Sequence, residues 1–313
     1  MYQPVRASRS EWVAVRGLRT HVRSWGAPDR AAPLLVLTHG WMDVSASWQF
    51  MVDALGDDFS ARRRIIAPDW RGFGLSMAAD EARDHYDFVE YLADLDALLD
   101  HYAGDAPVDL VGHSMGGNVV MMYAGVRPAR IRRLVNLEGF GMPATQPRQA
   151  TGRLTQWLDQ IKDLHAGRLA LKTYADAADV AARLMKNNPR LPQAKADWLA
   201  RYWAAPYPDG ADGAAARWRV LGQATHRVVN PHLFRVDEML AIYCAISAPT
   251  LMVEASGDSL GVFWGARYTR DEFGARLAAV SNLRREILPD CGHMLHHDQP
   301  EQLARLLEAF LAD

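Results

Sequence analysis

The chain has 313 residues, of which 49% are hydrophobic and 23% are charged, and its formal net charge is −2. This length can bury a large core, either as one domain or as a domain with an insertion. The near-neutral charge gives no reason to expect a nucleic acid or an anionic membrane surface as partner.

The first third of the chain alternates between predicted strands and predicted helices. Short apolar runs predict buried strands, and runs with a helical apolar period predict the helices between them. In chain order these elements are a hairpin over 12–25, strands at 34–38 and 65–67, and helices at 45–55 and 87–102. Asp87 and Glu90 have the spacing of a capping box, which favours a helix that begins there.

Residues 108–117 predict a sharp turn that carries a nucleophile. An apolar run leads directly into Gly-x-Ser-x-Gly, and a predicted helix follows. Strand, turn and helix together are the context of a nucleophile elbow. The turn forces Ser114 into a strained backbone conformation, so Gly112 and Gly116 are needed where a Cβ would collide with the strand or the helix. The alternative is a tight turn with a surface serine.

The alternation breaks off after a predicted strand at 131–137. Residues 142–231 contain helix after helix, with no convincing strand, and they predict an inserted helical cap. The helices expected there are 153–165, 175–186, 193–203 and 214–224. The pattern then resumes with strands at 249–253 and 283–288, a helix at 269–280 and a closing amphipathic helix. The predicted domains are therefore a core of residues 1–141 and 232–313 and a cap of residues 142–231.

Residues with catalytic potential follow the predicted strands. In mostly parallel sheets, ligands bind beyond the carboxyl ends of the strands. The residues found there are Trp41, Ser114, Glu138, Asp258 and His293. Serine needs a base within hydrogen-bond reach and a third group that holds this base. The chain order Ser114, Asp258, His293 is the order of an α/β-hydrolase triad and differs from both well-known protease orders.

The chain resembles the α/β-hydrolase superfamily over essentially its whole length. Four motifs match in order and spacing: His39-Gly40-Trp41, the run Asp69-Trp70-Arg71-Gly72-Phe73-Gly74, the elbow at 112–117, and Gly292-His293 followed by Pro300-Glu301. Residues 39–48 are also similar to the serine hydrolase-like and mesoderm-specific-transcript branch. The resemblance implies a mostly parallel, eight-stranded sheet with helices on both faces and an inserted cap. No cofactor is expected.

His293 is the expected catalytic base, because it follows Gly292 after the last predicted strand. His296 and His297 are interpreted as histidines of a surface loop. Together the three histidines could suggest a metal site, but no partner cluster of cysteines or acidic ligands supports it, so no metal is expected.

Two carboxylates compete for the role of the acid that orients His293. Asp258 follows a Pro-Thr-apolar strand, as the family pattern requires, and it is the favoured acid. Glu138 ends the preceding strand, where some relatives carry their acid, and it is the alternative. If Glu138 is not the acid, we expect it to support the hinge of the cap.

The resemblance also implies an oxyanion hole and a pocket. The two backbone N–H groups are expected at Trp41 and Met115. Large apolar residues in loops beside the triad are expected to line the substrate pocket: Met42, Met142, Phe263, Trp264 and Met294.

The expected function is hydrolysis of a small to medium, uncharged carboxylic ester through an acyl-enzyme. A serine at position 114 disfavours epoxide hydrolase and haloalkane dehalogenase chemistry, which uses a carboxylate nucleophile. Amidase, thioesterase, C–C bond hydrolase and cofactor-free haloperoxidase activities remain open, and so does a non-catalytic ligand receptor on the same fold. The expected partner is a small molecule. The oligomeric state is not predicted.

The expected location is the cytoplasm. Residues 1–6 lack the apolar core of a signal peptide, and no apolar run reaches transmembrane length. Cys244 and Cys291 make no disulfide framework, which suits a reducing compartment.

Overall fold

A computed structural model of the chain describes residues 2–27, 29, 31–76, 83–207 and 217–312. The strands of these ranges are β1 (Arg9–Val15), β2 (Leu18–Gly26), β3 (Leu34–Thr38), β4 (Arg64–Pro68), β5 (Val108–His113), β6 (Ile131–Leu137), β7 (Thr173–Tyr174), β8 (Ala204–Tyr207), β9 (Arg217–Val220), β10 (Thr250–Ala255) and β11 (Leu283–Leu288). The α-helices are α1 (Gln49–Asp53), α2 (Asp57–Ala61), α3 (Phe88–Ala103), α4 (Met115–Val126), α5 (Ala150–His165), α6 (Ala177–Asn187), α7 (Gln193–Trp203), α8 (Val236–Cys244), α9 (Ser259–Trp264), α10 (Arg270–Leu277), α11 (Leu295–Asp298) and α12 (Pro300–Leu311).

The main sheet has eight strands in the order β1-β2-β4-β3-β5-β6-β10-β11. The β1–β2 and β2–β4 pairs are antiparallel, and all the others are parallel. The predicted fold class, a mostly parallel eight-stranded sheet of the α/β-hydrolase type, is confirmed. Elements β5, β6 and β10 are neighbours, so their carboxyl ends open onto one region at the edge of the sheet.

Both faces of the sheet are covered by helices. Along β3, successive side chains pack into different cores, with Val36 on one face and Leu35 and Leu37 on the other. The first core includes residues of α3, α4 and α8, and the second includes residues of α1 and α12. This alternation explains why the run at 34–38 is apolar throughout.

Helix α3 begins as its sequence predicts. The Asp87 side chain accepts a hydrogen bond from the backbone N–H of Glu90, and the Glu90 carboxylate accepts one from the Asp87 N–H. The capping box is therefore confirmed.

The expectation of helices alone in residues 142–231 is wrong. Strands β7, β9 and β8 form a second, antiparallel sheet, and β9 lies where a helix was expected at 214–224. Residues 214–216 of that expected helix lie outside the described residues. Across β9, arginine alternates with Trp218 and Val220, and this period of two is the signature of a strand.

The segment between β6 and β10 packs on the loop that follows β3. Apolar residues of α6 and α7 share a core with Val44, Ala46 and Phe50. Near β10 the chain returns to the main core, where Met239 and Tyr243 of α8 are buried. Among the described residues, no helix combines the length and the apolar character that crossing a membrane requires.

Candidate active site

Ser114 occupies a strained turn between β5 and α4. Its backbone angles are φ 51° and ψ −114°, a region that favours glycine. A Cβ at Gly112 would lie 2.3 Å from the Gly116 carbonyl oxygen, and a Cβ at Gly116 would lie 2.4 Å from the Thr38 carbonyl oxygen. The predicted strain and the predicted need for both glycines are confirmed. The tight turn directs Ser114 toward the carboxyl end of the sheet.

A hydrogen-bonded chain joins Ser114 to a histidine and a carboxylate. The Ser114 Oγ lies 2.9 Å from His293 Nε2, and His293 Nδ1 lies 3.3 Å from Glu138 Oε2. The Glu138 side chain is buried, whereas that of His293 is 22% exposed. The other Glu138 oxygen accepts a hydrogen bond from the Ala255 N–H at 2.6 Å, which fixes the carboxylate between β6 and β10.

Asp258, the acid favoured from the sequence, makes no hydrogen bond to His293 in the described part of the chain. Its carboxylate accepts a hydrogen bond from the Gly261 N–H at 3.0 Å and lies 3.4 Å from Arg270 Nε. Its side chain is 69% exposed. This corrects the preference between the two carboxylates, because Asp258 caps its own helix, α9, while Glu138 follows β6, the strand next to β5.

The two backbone N–H groups expected to form an oxyanion hole lie close to Ser114. Met115 is the first residue of α4, so its N–H is one of the donors left free at a helix start. Trp41 follows Gly40, whose Cβ, if present, would lie 3.2 Å from Ser114 Cβ. In the described part of the chain, neither N–H donates a hydrogen bond to another residue.

His39 holds the loop that carries Trp41. Its Nδ1 donates to the Gly40 carbonyl oxygen at 2.8 Å, and its Nε2 accepts from the Trp70 N–H at 3.0 Å. Burial lowers the pKa of His39, which favours the neutral ring that this pattern requires. Both ring nitrogens are thereby satisfied, so His39 acts on the site through the backbone that it fixes.

A cavity of about 210 Å³, here called the nucleophile chamber, opens beside Ser114. Its lining comes from the strand ends of the main sheet, from α6 and α7 and from the loop after His293: Gly40, Trp41, Met42, Asp43, His113, Ser114, Leu184, Asn187, Asn188, Leu191, Leu199, Trp203, Met294 and His297. The indole N–H of Trp203 donates to the Met42 carbonyl oxygen at 2.7 Å, which ties α7 to the main sheet at this point.

The expected pocket residues divide between three places. Met42 and Met294 line the nucleophile chamber. Met142 and Trp264 line a separate, larger groove of about 910 Å³. The Phe263 ring stands edge-on to His293, with the two ring centroids 4.8 Å apart.

Sequence reasoning missed the chamber residues of α6 and α7, among them Leu184 and Trp203. Their apolar periodicity predicts burial, but nothing in it indicates which part of the main sheet they face.

His296 and His297 are buried, so the interpretation as surface-loop histidines is wrong. The His297 Nε2 lies 2.6 Å from Ser47 Oγ, and burial lowers the pKa of His297 to about 3. His113 is buried as well, and its Nε2 donates to the His293 carbonyl oxygen at 2.8 Å. The backbone of His293 is therefore held by the residue that precedes Ser114.

Comparisons with known proteins identify the family and the fold. The model of the alpha/beta hydrolase fold family matches residues 33–300. A serine hydrolase-like protein of Danio rerio is 25% identical over 309 residues, covering 96% of this chain and 86% of that protein. Epoxide hydrolase A of Mycobacterium tuberculosis is 34% identical over 140 residues, which span 44% of this chain and 41% of that enzyme.

Among solved structures, the thioesterase domain from the curacin biosynthetic pathway superposes with a TM-score of 0.78 at 24% identity, over 97% of this chain and 99% of that domain. This likeness concerns the fold. Because the family match extends over most of the chain, the protein belongs to the alpha/beta hydrolase fold family.

Proposed function

We propose that the protein is a serine hydrolase that cleaves small to medium, uncharged carboxylic esters. The observation that carries this proposal is the hydrogen-bonded chain from Ser114 Oγ through the His293 ring to Glu138. His293 Nε2 takes the hydroxyl proton as Ser114 Oγ bonds to the acyl carbon, and it then gives this proton to the leaving alcohol. Water, activated by the same nitrogen, releases the acid from the acyl-enzyme.

Glu138 is the proposed orienting acid. Its carboxylate accepts from His293 Nδ1–H, which leaves the lone pair of Nε2 facing Ser114 and stabilises the imidazolium that forms during the reaction. The N–H groups of Met115 and Trp41 are the proposed donors to the developing oxyanion, since both are near Ser114 and free to donate.

The proposed substrate class follows from the chamber. Apolar side chains form most of its wall, and its lining contains no lysine or arginine. The seven large apolar residues are Trp41, Met42, Leu184, Leu191, Leu199, Trp203 and Met294. Each methylene buried there contributes about 0.8 kcal/mol, so a few carbons produce a clear preference. Asn187 is the proposed polar contact for one end of the substrate, since the Asn188 amide already donates to Asp298 and accepts from the Arg190 N–H. An anionic substrate is disfavoured.

Residues 142–231 are the proposed cap, because α6 and α7 supply one wall of the chamber over Ser114. A cytoplasmic location is also part of the proposal. It is supported by the two cysteines, Cys244 and Cys291, which are both free thiols.

Other chemistries of the fold are alternatives to ester cleavage. The partial match to an epoxide hydrolase raises attack on an alkyl carbon, but position 114 supplies a hydroxyl nucleophile and not a carboxylate. Thioester, amide and C–C bond cleavage use the same serine chemistry. A substrate panel with matched acyl groups separates them.

The test is active-site labelling together with a burst assay. A fluorophosphonate is expected to add one phosphonyl group to Ser114, detected by mass spectrometry, and a chromogenic ester is expected to release a burst of about one leaving group per chain. Ser114→Ala should lose both signals, while Ser281→Ala, at an exposed position, should keep both. Equal labelling of Ser114→Ala contradicts the proposal, because the label is then on another residue. A folded wild-type protein without label or burst also contradicts it and favours a receptor.

A further inference from the structure

Three buried polar atoms converge beside the nucleophile without a hydrogen-bond partner among the described residues. They are Asp43 Oδ2, His113 Nδ1 and His296 Nδ1. The three residues are 6%, 2% and 1% exposed, respectively. One ligand atom from each lies within 4.8 Å of the others. Buried polar atoms are nearly always paired, so three unpaired atoms at one place call for a ligand.

The hydrogen bond that His113 makes at Nε2 shows which of its ring nitrogens carries the proton. Because a carbonyl oxygen can only accept, the His113 Nε2 that contacts the His293 carbonyl carries the ring proton. The neutral ring, whose single proton is on Nε2, leaves Nδ1 without a hydrogen. Its Nδ1 therefore presents a lone pair to the cluster, which is the form that binds a metal ion.

Asp43 contributes a second acceptor. One carboxylate oxygen accepts from the Val44 N–H at 2.9 Å, and the other faces the cluster. Among the described residues, no ion pair involves this buried carboxylate, so it lacks a compensating positive charge.

His296 completes the group from the loop after the last strand. Its ring packs on Trp48, with the centroids 4.8 Å apart, and its Nε2 lies 3.4 Å from Ser47 Oγ. The indole thus limits how the imidazole can turn, and its Nδ1 remains unpaired.

We propose that Asp43, His113 and His296 form a binding site for one divalent transition-metal ion such as Zn²⁺. Two imidazole nitrogens and one carboxylate oxygen are a donor set that Zn²⁺ and its neighbours prefer. Ligand atoms on tetrahedral Zn²⁺ are about 3.4 Å apart, so the widest separation in the cluster, at most 4.8 Å, must close by no more than about 1.4 Å. Asp43 and His113 also line the nucleophile chamber, which gives the ion a path of entry.

The sequence does not reveal this site, because its ligands come from three distant segments. Asp298 follows the histidines in the chain, but the carboxylate that lies near His296 is that of Asp43, which reaches it only when the loop after β3 packs beside α11.

The test is metal binding by the purified full-length protein after treatment with EDTA. Titration with Co²⁺ is expected to give the visible absorption of a tetrahedral site and to saturate at one ion per chain, with Zn²⁺ displacing it. Asp43→Asn and His296→Gln should each weaken Zn²⁺ binding at least about tenfold. His232→Gln is the matched control, because His232 is an exposed histidine that also lies near a carboxylate, 3.6 Å from Asp87, and it should bind as the wild type does.

Two outcomes overturn the proposal. One is the failure of Co²⁺ and Zn²⁺ to bind stoichiometrically. The other is binding that survives both cluster substitutions, which indicates adventitious surface sites. Asp43→Asn also turns an acceptor into an amide that can donate to His113 Nδ1, so we expect this variant to fold with a melting temperature at least equal to that of the wild type.

Crystals of the wild type soaked with Zn²⁺ provide a measurement that does not depend on any variant. An anomalous peak between the three side chains supports the site, and an ordered water in its place overturns it. None of these measurements uses ester turnover, so the failure of the proposed hydrolase activity leaves them intact.

Discussion

Backbone strain is concentrated at the residues that form the candidate site. Five residues other than glycine have a positive φ in the described part of the chain, and three of them are Met42, Ser114 and Glu138. Each such residue costs on the order of 1–3 kcal/mol and persists only where the surrounding structure enforces it. Here the strain directs the hydroxyl and the carboxylate toward opposite sides of His293 before any substrate binds.

The assignment of Glu138 leads to a direct comparison of two carboxylate substitutions. Glu138→Gln should lower kcat on a chromogenic ester by about three to four orders of magnitude, because an amide no longer holds the reactive tautomer of His293 or stabilises its imidazolium. Asp258→Asn should stay within about tenfold of the wild type, because the Asp258 carboxylate caps α9 and contacts Arg270.

Circular dichroism should establish that both variants fold, and the rate of fluorophosphonate labelling gives a second readout of the nucleophile. If Asp258→Asn shows the large loss and Glu138→Gln the small one, the orienting acid is Asp258.

The choice between these carboxylates illustrates what a sequence can predict at the scale of single residues. The strand–turn–helix pattern selected Ser114 and the glycine before His293 selected that histidine, and the structure brings these two side chains within 2.9 Å of each other. Both carboxylates follow strands whose carboxyl ends lie near Ser114, so position along the chain cannot separate them. Their directions are decided by the positive φ of Glu138 and by the helix cap that Asp258 makes, and neither is visible in the residue types.

At the scale of elements, a small junction fastens the segment of residues 142–231 to the main sheet. The Gly74 N–H donates to the Leu221 carbonyl oxygen at 2.8 Å, and the Gln223 N–H donates to the Gly72 carbonyl oxygen at 3.0 Å. Beside these bonds, the His226 ring is stacked on Phe73 at a centroid distance of 3.7 Å. Burial lowers the pKa of His226 to about 3, so this junction contains a neutral histidine.

That histidine predicts a pH-dependent loss of stability. Below the unfolded-state pKa of about 6.5 the unfolded chain binds a proton that the folded chain does not, so stability falls as the pH decreases from 6.5 toward 3. At pH 5.5 the contribution of His226 to this loss is about 1.4 kcal/mol. His226→Phe keeps a flat ring in the stack and should reduce the difference in unfolding free energy between pH 7.5 and 5.5 by about that amount.

Urea unfolding at the two pH values measures this difference. His232→Phe, at an exposed position, is the control and should retain the wild-type difference. A His226→Phe variant whose pH dependence equals that of the wild type shows that the folded protein protonates His226 readily.

The elements themselves were predicted well where they pack on the main sheet and less well in the inserted segment. Strands at 34–38, 131–137 and 283–288 agree with β3, β6 and β11. Only β3 is apolar throughout, whereas β6 and β11 carry charged residues between apolar ends. The helix expected at 45–55 is instead a 3₁₀ turn over Ser45–Trp48 followed by α1. The strands of the inserted sheet have only two to four residues each, too few for alternation to stand out against the helical pattern around them.

At the scale of the whole molecule, the chamber exists only because two distant parts of the chain meet. The strand ends contribute Ser114, Met42 and Met294, while α6 and α7 close the opposite wall. Hydrophobic periodicity predicts that both sets are buried, but it carries no information about which apolar faces meet. The size of the cavity, and with it the preferred length of the substrate, therefore comes from the structure alone.

The volume of the chamber predicts a short acyl preference that one substitution should change. At about 210 Å³ the chamber is smaller than a typical pocket for a drug-sized ligand, so kcat/KM should be highest for short acyl chains and should fall for longer ones. Leu184 is buried at the wall of the chamber, and Leu184→Ala removes three carbon atoms from it. This variant should move the optimum toward longer chains by about two carbons, at a cost in stability of about 2–5 kcal/mol. Leu158→Ala, on the exposed face of α5, is the control and should keep the wild-type profile.

A series of p-nitrophenyl esters of increasing acyl length measures both profiles. A wild-type kcat/KM that keeps rising to long chains, or a Leu184→Ala profile identical to that of the wild type, means that the acyl chain does not occupy this chamber and points to the larger groove lined by Met142 and Trp264.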